Sequence, residues 1–388
     1  MNVRPCIRVC IILLAFILTV ALAGGASAAE GEAVLGLLLP TSGFMAYYGK
    51  QQALAAEMAV EDINKAGGIN GKKLRLIKLD TSSKPEEAIN GIKRLASADK
   101  VPAIAGPLLS SCCRVAFPLG NRLGIPMISS ACSAPGLAEA NRPWAFRNTV
   151  LEADTAALAL KHWAKTYNIK SVAVIVDNKD FVSKSFGKNV VPPLLKKNGI
   201  KLIDTVSVQT GDVDFSAQVT RVKGRNPDGI VLAALANEAA GLARELRRQG
   251  MKQPLYGGGP LAGVQYIDKG GKAVEGTMLG SGFWVDNPEP RIVAWVKRFK
   301  ERQPDRKPPH QIAMFQYETL MIMKQCADKQ KMQFTPQSLN EDRAKMRDCW
   351  SGLRNYPILS GKMSMIEGNG KRKPLILQVV NGRFKLLN

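Results

Sequence analysis

The sequence predicts an α/β fold made of two doubly wound lobes, each a parallel sheet covered by helices on both faces. Three observations support this fold class. The chain has 388 residues, enough for two domains of about 100 to 200 residues each. Apolar runs alternate with amphipathic helical stretches from Ala33 onward, and a second round of this alternation begins near Leu151. The first run, residues 34–39, lacks polar alternation, which is typical of a parallel strand buried on both faces.

The first lobe opens with a predicted strand over residues 34–39, an uninterrupted apolar run that ends at Pro40. A helix over residues 50–65 follows and ends at the pair Gly67-Gly68. The same alternation then predicts strands at 74–79, 102–105, 125–129 and 144–147, with a helix at 85–98.

The second lobe repeats this order and is followed by a different kind of tail. We predict helices at 153–166, 182–197, 215–224 and 238–249, and strands at 171–176, 201–208, 229–234 and 255–256. The tail has predicted helices at 288–302, 312–329 and 338–346, then strands at 362–366, 375–380 and 384–387. Hairpin-type turns at 368–370 and 381–382 predict that these last strands form one antiparallel ribbon.

The N-terminus has the pattern of a secretory signal peptide over residues 1–28. Arg4 and Arg8 precede an uncharged run at 11–23, and Ala26-Ser27-Ala28 offers the small residues that signal peptidase accepts. A membrane anchor is the competing interpretation, but the run is shorter than the roughly 20 residues needed to cross a bilayer. We therefore expect cleavage after Ala28 or Ala29 and export of a soluble protein.

The net charge of the chain is strongly basic, with a formal value of +22. Loss of Arg4 and Arg8 with the signal peptide would lower it to +20. The remaining basic residues are scattered along predicted helix faces and loops, without interleaved aromatic residues. This distribution is typical of a solvated surface and argues against nucleic acid as a partner.

Cysteine spacing predicts one disulfide bond and no metal site. In an oxidising compartment we expect Cys326 to pair with Cys349 across a short polar stretch. The pairing of the other three exported cysteines is left open: one of Cys112 and Cys113 could join Cys132 while another stays a buried thiol. Because the chain has 2 histidines and no Cys-x-x-Cys, metal-ligand spacing is missing.

The sequence contains no recognisable catalytic or cofactor-binding motif, so we expect a protein without catalytic residues or cofactor. The first strand is not followed by a dinucleotide fingerprint, and neither a phosphate-binding lysine loop nor a Gly-x-Ser-x-Gly elbow occurs. The segment Gly257-Gly258-Gly259-Pro260 is glycine-rich, but a flexible loop at a strand end explains it better than a phosphate cradle.

Small polar residues follow two neighbouring predicted strands, where open α/β sheets bind ligands. Ser110 and Ser111 lie at the start of a predicted helix, and Ser133 follows the strand at 125–129. A helix N-terminus presents unpaired N–H groups and a partial positive charge, so this arrangement suits a carboxylate. The alternative is that these serines only cap their helices.

Several segments carry a family resemblance. They are Leu39-Pro40-Thr41-Ser42-Gly43, Tyr48-Gly49, Asn64-Lys65-Ala66-Gly67-Gly68-Ile69-Asn70-Gly71, and residues 103–107, 124–129 and 212–216. In this order they resemble the periplasmic solute-binding proteins for leucine, isoleucine and valine of ABC transporters. The resemblance implies a type I periplasmic binding protein, a monomer whose two lobes are joined by a three-crossover hinge. It places residues 30–149 and 281–355 in lobe 1 and residues 150–280 and 356–388 in lobe 2.

The resemblance also implies a ligand site and a partner. The carboxylate of the ligand would be held by Ser110 or Ser111, by Ser133 and by backbone N–H groups near Ala131. Tyr48 and Phe181 match the aromatic walls of the site. The loaded protein would deliver its ligand to an ABC transporter permease in the membrane. Related proteins serve as sensory modules of receptors or as amide-responsive regulators, so a receptor partner stays open.

The residues that hold the ligand's ammonium group in the amino-acid-binding relatives are not present at the matching positions of this sequence. Their acidic residue falls at Gly259, and the tyrosine expected near 235–237 is missing. Because a buried ammonium needs a partner, we expect a small organic acid as ligand, aromatic carboxylates first and aliphatic ones next. His310 could bond such a ligand or lie in a surface loop. Branched-chain amino acids and amides are the alternative ligand classes.

Overall fold

The computed structural model describes residues 31–388, so the predicted signal peptide lies outside the described residues. Within this range no helix is both long and apolar enough to cross a bilayer. The strands in chain order are β1 (Glu32–Leu39), β2 (Lys73–Asp80), β3 (Ile104–Ala105), β4 (Met127–Ser129), β5 (Ala145–Arg147), β6 (Ser171–Asp177), β7 (Lys201–Val208), β8 (Gly229–Ala233), β9 (Leu255–Gly257), β10 (Met278–Ser281), β11 (Tyr356–Ile358), β12 (Gly361–Ile366), β13 (Asn369–Lys371), β14 (Leu375–Val380) and β15 (Arg383–Leu386).

The α-helices alternate with the strands as the sequence pattern predicts. In chain order they are α1 (Ala46–Lys65), α2 (Pro85–Lys93), α3 (Ser110–Leu123), α4 (Glu152–Thr166), α5 (Phe181–Ser185), α6 (Val191–Lys197), α7 (Ser216–Arg225), α8 (Ala236–Arg248), α9 (Val264–Gly270), α10 (Pro290–Arg302), α11 (Gln311–Lys329) and α12 (Leu339–Ser351). Single π turns extend α2 over Arg94–Ala98 and join α5 to α6 over Phe186–Val190.

The strands form two sheets, one in each lobe. The first has the order β11-β12-β13-β5-β4-β3-β1-β2, and the second has the order β15-β14-β10-β9-β8-β6-β7. The strands β1 to β5 pair in parallel, as do β6 to β10, which is the arrangement expected from alternating strands and helices. The predicted fold class, two doubly wound α/β lobes, is confirmed.

Local sequence explains how the first lobe begins. The apolar run of β1 is buried along almost its whole length and pairs in register with β2 from Glu32 to Leu39. At the carboxyl end of β2 the Asp80 carboxylate accepts the N–H groups of Thr41 (2.9 Å) and Ser82 (2.8 Å). These hydrogen bonds hold the turn between β1 and α1 against the end of the sheet.

The chain crosses between the two sheets three times: after β5, after β10 and after β13. This is the predicted three-crossover hinge. An apolar cluster packs around it, in which Val150 and Phe283 from two crossovers meet Met58 of α1 and Trp295 of α10. The hinge is therefore built into a core that continues into the first lobe.

The boundary predicted near the C-terminus is wrong. We expected residues 356–388 to belong to lobe 2 as one antiparallel ribbon, but β11, β12 and β13 extend the first sheet. β13 lies beside β5, where Arg147 N–H donates to the Gly368 carbonyl (2.8 Å). Only β14 and β15 join the second sheet, because β14 pairs with the open edge of β10. Turn residues in the sequence predict where a hairpin forms, but they do not determine which of the two sheets that hairpin joins.

The cysteines divide into one bridge and three free thiols. Cys326 of α11 is joined to Cys349 of α12, with 5.7 Å between the two Cα atoms. Cys112, Cys113 and Cys132 are free and buried in the first lobe. The pairing of Cys132 that the sequence left open is thus not present in the structure.

Candidate ligand-binding site

A cavity lies between the two lobes, at the carboxyl ends of strands from both sheets. It encloses about 570 Å³ of atom-free space, part of it open to solvent. The wall is formed by Met45, Tyr48, Leu108, Leu109, Ser110, Ala131 and Ser133 from lobe 1, by Glu152, Asp180, Val182, Leu235, Gly259 and Pro260 from lobe 2, and by Thr149, Val150, His310, Gln311 and Ile312 from the hinge.

The lobe 1 end of the cavity is a helix N-terminus with a buried hydroxyl. Ser110 is the first residue of α3, and the first hydrogen bond into that helix runs from Cys113 N–H to the Leu109 carbonyl. Helix geometry leaves the N–H groups of the preceding turn without an intrahelical acceptor. The Ser110 hydroxyl does not cap α3; instead it accepts the Ala134 N–H at 3.4 Å. The alternative that Ser110 only caps its helix is therefore wrong.

The serines that follow β4 divide into two that support the loop and one that faces the cavity. Ser129 Oγ donates to the Pro107 carbonyl (2.6 Å) and accepts the Cys132 N–H (3.0 Å). Ser130 Oγ donates to the Gln316 side chain at 2.6 Å. These bonds hold the loop so that Ala131 and Ser133 reach the cavity wall.

The structure places an acid in the cleft that the sequence analysis missed. Glu152, in the first turn of α4, is 5% exposed, and its Oε2 accepts the Gly259 N–H at 3.2 Å. A Cβ atom at Gly259 would lie 2.8 Å from Glu152 Oε1, so this carboxyl fills the space that a side chain there would take. The premise that the cleft lacks an acid is wrong. Position 259 is glycine as noted, but Glu152 supplies the carboxyl from another element.

Burial governs the protonation of the two carboxyls in the cavity. Desolvation raises the pKa of Glu152 to about 7, although the Gly259 N–H and the Ser133 hydroxyl act against the shift. Desolvation likewise raises the pKa of Asp180 to about 6. Asp180 caps α5 by accepting the Ser183 N–H at 2.8 Å. Both groups thus change charge within about one pH unit of neutrality.

Tyr48 and His310 form the aromatic part of the wall. Their rings meet edge to face with centroids 5.2 Å apart, and the Tyr48 hydroxyl donates across the cleft to the Pro260 carbonyl at 3.5 Å. His310 caps α11 by accepting the Ile312 N–H on Nδ1 (3.3 Å). Burial lowers the pKa of His310 to about 4, so the imidazole is neutral at pH 7. His310 is a buried hinge residue and not part of a surface loop.

Two predicted site residues do not line the cavity. Ser111 is not among the residues that line it, and Phe181 packs against the lobe 1 core with the Arg114 guanidinium 5.1 Å above its ring. The chain turns at the Asp180 cap, so Asp180 and Val182 face the cavity while Phe181 lies between them on the other side. Phe181 therefore joins the lobes as a cation–π partner of Arg114 and is not a ligand wall.

Gln311 is a second residue that sequence reasoning missed. Its Nε2 donates to the Gly259 carbonyl (3.1 Å), while its Oε1 accepts the Ser281 hydroxyl and the Gly282 N–H (2.9 Å each). The side chain thus ties the hinge to the glycine loop that carries the Glu152 contact. No sequence pattern marks Gln311 as a site residue. Glu152 is recognisable in the sequence only as an acidic residue in the first turn of a helix.

The family profile described as "Periplasmic binding protein" matches residues 32–380, nearly the whole described chain. The chain belongs to this family. A relative from Brucella melitensis, "Leu/Ile/Val-binding protein homolog 3", is 30% identical over 273 residues, which span 69% of this chain and 72% of the relative. The resemblance to the Leu/Ile/Val-binding proteins is confirmed.

Solved structures with the same fold bind more than one kind of ligand. The branched-chain amino acid binding protein LivJ from Streptococcus pneumoniae, in complex with isoleucine, superposes with a TM-score of 0.81 at 21% identity, covering 92% of this chain and 99% of the other. A solute-binding protein from R. palustris in complex with benzoate gives a TM-score of 0.79 at 18% identity, covering 92% and 96%. At these identities the likeness establishes the fold alone.

Proposed function

We propose that this protein is the exported, monomeric ligand-binding component of an ABC uptake transporter and that it binds a small organic acid in the cleft. Aromatic monocarboxylates are the leading ligand class and aliphatic acids come next. The observation that carries the proposal is Ser110: a buried hydroxyl beside the free N–H groups of a helix N-terminus, facing a wall of mainly apolar side chains.

The polar end of the cavity suits a carboxylate for two reasons. The N-terminus of α3 carries a partial positive charge, which favours a nearby anion by about 0.3 to 2 kcal/mol. The Ser110 hydroxyl and the N–H groups of the helix can donate hydrogen bonds to carboxylate oxygens, and such charge-assisted bonds are roughly twice as strong as neutral ones. Neither contribution requires a cationic side chain.

The remaining wall suits an apolar ligand body. Met45, Leu108, Val150, Leu235 and Ile312 surround the cavity together with the Tyr48 ring. Burial of roughly 150 Å² of apolar ligand surface would stabilise the complex by about 4 kcal/mol at 25 cal/mol per Å². An aromatic ring or a branched aliphatic chain presents a surface of that size.

An α-amino acid is the second candidate, and Glu152 is the observation that favours it. An ionised Glu152 could pair with a ligand ammonium group while Ser110 holds the carboxylate. The Brucella relative is named for leucine, isoleucine and valine, which points the same way. The two candidates differ in one group, the ammonium, so they can be separated by a single panel of ligands.

The test is thermal unfolding of the purified protein against aromatic acids, aliphatic acids, α-amino acids and amides. A ligand at about 100 times its dissociation constant stabilises the folded state by about 2.7 kcal/mol, which shifts the melting temperature measurably. We expect benzoate-type acids to raise the melting temperature and leucine to leave it unchanged. A shift with leucine and none with any plain carboxylate would refute the organic-acid proposal and support the second candidate.

The transport partner can be tested separately. We expect the loaded protein to stimulate ATP hydrolysis by its cognate permease and ATPase reconstituted in liposomes, because closure around the ligand creates the surface that the permease recognises. If the loaded protein instead binds a membrane receptor and stimulates no ATPase, the sensory alternative is correct.

A further inference from the structure

We propose that Glu152 makes ligand capture proton-linked: the cleft accepts an organic acid when Glu152 is a neutral carboxylic acid, so one proton enters the closed site with the ligand. The inference rests on the proposed function, since it takes the ligand to be a carboxylate. It assigns to Glu152 the role of a specificity-determining residue, which selects ligands by their charge.

The first argument is the position of the carboxyl between the lobes. Glu152 Oε1 accepts the Ser133 hydroxyl from lobe 1 at 3.4 Å, and Oε2 accepts the Gly259 N–H from lobe 2 at 3.2 Å. Ser133 and Gly259 both line the cavity. A carboxyl that contacts both lobes and the cavity wall changes its surroundings whenever the cleft opens, closes or fills.

The second argument is that, within residues 31–388, no cationic side chain forms an ion pair with the Glu152 carboxyl. On its own helix, Asp154 is directed to solvent and pairs with Lys371 (2.6 Å). The α5 cap contributes Asp180, whose negative charge raises the pKa of Glu152. Strand β9 contributes Tyr256, whose own pKa is raised by burial, so its phenol is neutral at pH 7. The hinge contributes the neutral His310.

The loop that carries Ser133 packs against one buried cation, Arg147 of β5, but this cation is already bound. Arg147 lies behind the loop, where its guanidinium donates to the Ala134 carbonyl, to Asn369 Oδ1 (2.7 Å) and to Glu139 Oε2 (2.9 Å). An ionised Glu152 would therefore depend on one N–H and one hydroxyl. Burial without a counter-charge raises the pKa of Glu152 to about 7, so its protonation at neutral pH costs little.

A ligand carboxylate in the same cavity makes the coupling necessary. Two anionic carboxylates in a site shielded from water repel one another, which favours the neutral form of the group that can be protonated more readily. The proton comes from solvent and stays on Glu152, whose O–H can then donate to the bound ligand. No bond other than this O–H bond is formed or broken.

The sign of the pH dependence distinguishes the two ligand classes. For an organic acid, affinity is full below the pKa of Glu152 and falls about tenfold for each pH unit above it, because only the protonated fraction is competent. With a pKa of about 7 the dissociation constant at pH 9 should be about fiftyfold larger than at pH 7. An α-amino acid would show the opposite trend, since its ammonium needs the ionised form.

The experiment is isothermal titration of the protein with benzoate from pH 6 to pH 9, in pairs of buffers with different ionisation enthalpies. We expect uptake of nearly one proton per ligand at pH 8 and an affinity that declines toward pH 9. Glu152→Gln, a neutral isostere, should abolish proton uptake and flatten the profile. The matched control is Asp154→Asn, which lies two residues along the same helix and should keep the wild-type profile.

The possible failures can be told apart. If benzoate binds with equal affinity across this range without proton uptake, the inference is overturned while the organic-acid proposal stands. If Glu152→Gln binds benzoate but keeps the wild-type pH slope, another group carries the proton and the inference is again overturned. If leucine binds and benzoate does not, both proposals are overturned. Absence of proton uptake by the wild-type protein overturns the inference even if the Glu152 variant does not fold.

Discussion

Replacement of Ser110 by alanine isolates the hydroxyl on which the proposed carboxylate site depends. Ser110 is 5% exposed, and the one hydrogen bond that its side chain makes within residues 31–388 is long, 3.4 Å from the Ala134 N–H. Loss of this bond should lower the free energy of unfolding by no more than about 1 kcal/mol. Loss of a hydrogen bond to a ligand carboxylate should cost about 1.5 to 3 kcal/mol, which raises the dissociation constant roughly 10-fold to 100-fold.

The neighbouring residue provides the control for this variant. Ser111 is the next residue of α3 but does not line the cavity, so Ser111→Ala should bind benzoate like the wild type. Both variants are to be titrated with benzoate at pH 7 in a calorimeter, after far-UV circular dichroism has shown that they fold. Equal affinities of the Ser110 and Ser111 variants would refute the placement of the carboxylate at the α3 N-terminus.

Three further predictions concern the lobes and their stability. Phe181→Ala removes the ring that stacks on Arg114, which should speed ligand release up to about tenfold without changing the order of ligand preference in stopped-flow measurements. Reduction of the Cys326–Cys349 bond, which joins cysteines 23 positions apart in the sequence, should lower the free energy of unfolding by about 3 kcal/mol in denaturant titrations. Glu152→Gln should raise the free energy of unfolding of the ligand-free protein at pH 9 by about 3 kcal/mol, but hardly at pH 4.

Each of these predictions has a control and a contradicting result. Phe44→Ala, at a ring that is 47% exposed, should leave ligand release unchanged, and a shifted ligand preference in the Phe181 variant would mean that the ring contacts ligand. Unchanged stability after reduction would show that the bridge only joins elements already fixed by packing. The folded-state pKa of Glu152 lies above its ordinary value, so its destabilising effect grows as pH rises. Destabilisation of the Gln variant at pH 9 would contradict that sign.

The sequence predicted the parts of the fold that depend on local patterns. The apolar run of β1 and the amphipathic stretch of α1 were placed to within a few residues, because burial on both faces and helical periodicity leave a direct signal. Strand β10 gave no such signal, since Met278–Ser281 is short and ends in two small residues. The sheet joined by β13 depends on its pairing with β5, a contact between distant segments that turn residues cannot encode.

The candidate site was predicted where it follows strand ends and missed where it depends on packing. Ser110, Ser133 and Tyr48 reach the cavity as the resemblance implied, and His310, for which a ligand contact and a surface loop were both open, reaches it too. Glu152 was missed because an acid in a first helical turn usually serves the helix dipole, and only the tertiary fold shows that this one is buried against the glycine loop.

The most direct test of the central claim is a crystal structure of the protein with benzoate bound. We predict electron density for the ligand in the cleft, with its carboxylate within hydrogen-bond distance of Ser110 Oγ and of the first N–H groups of α3. The ring should lie against Tyr48 and Leu235. A ligand carboxylate placed elsewhere, or a cleft that fills only with an amino acid whose ammonium meets Glu152, would contradict the account.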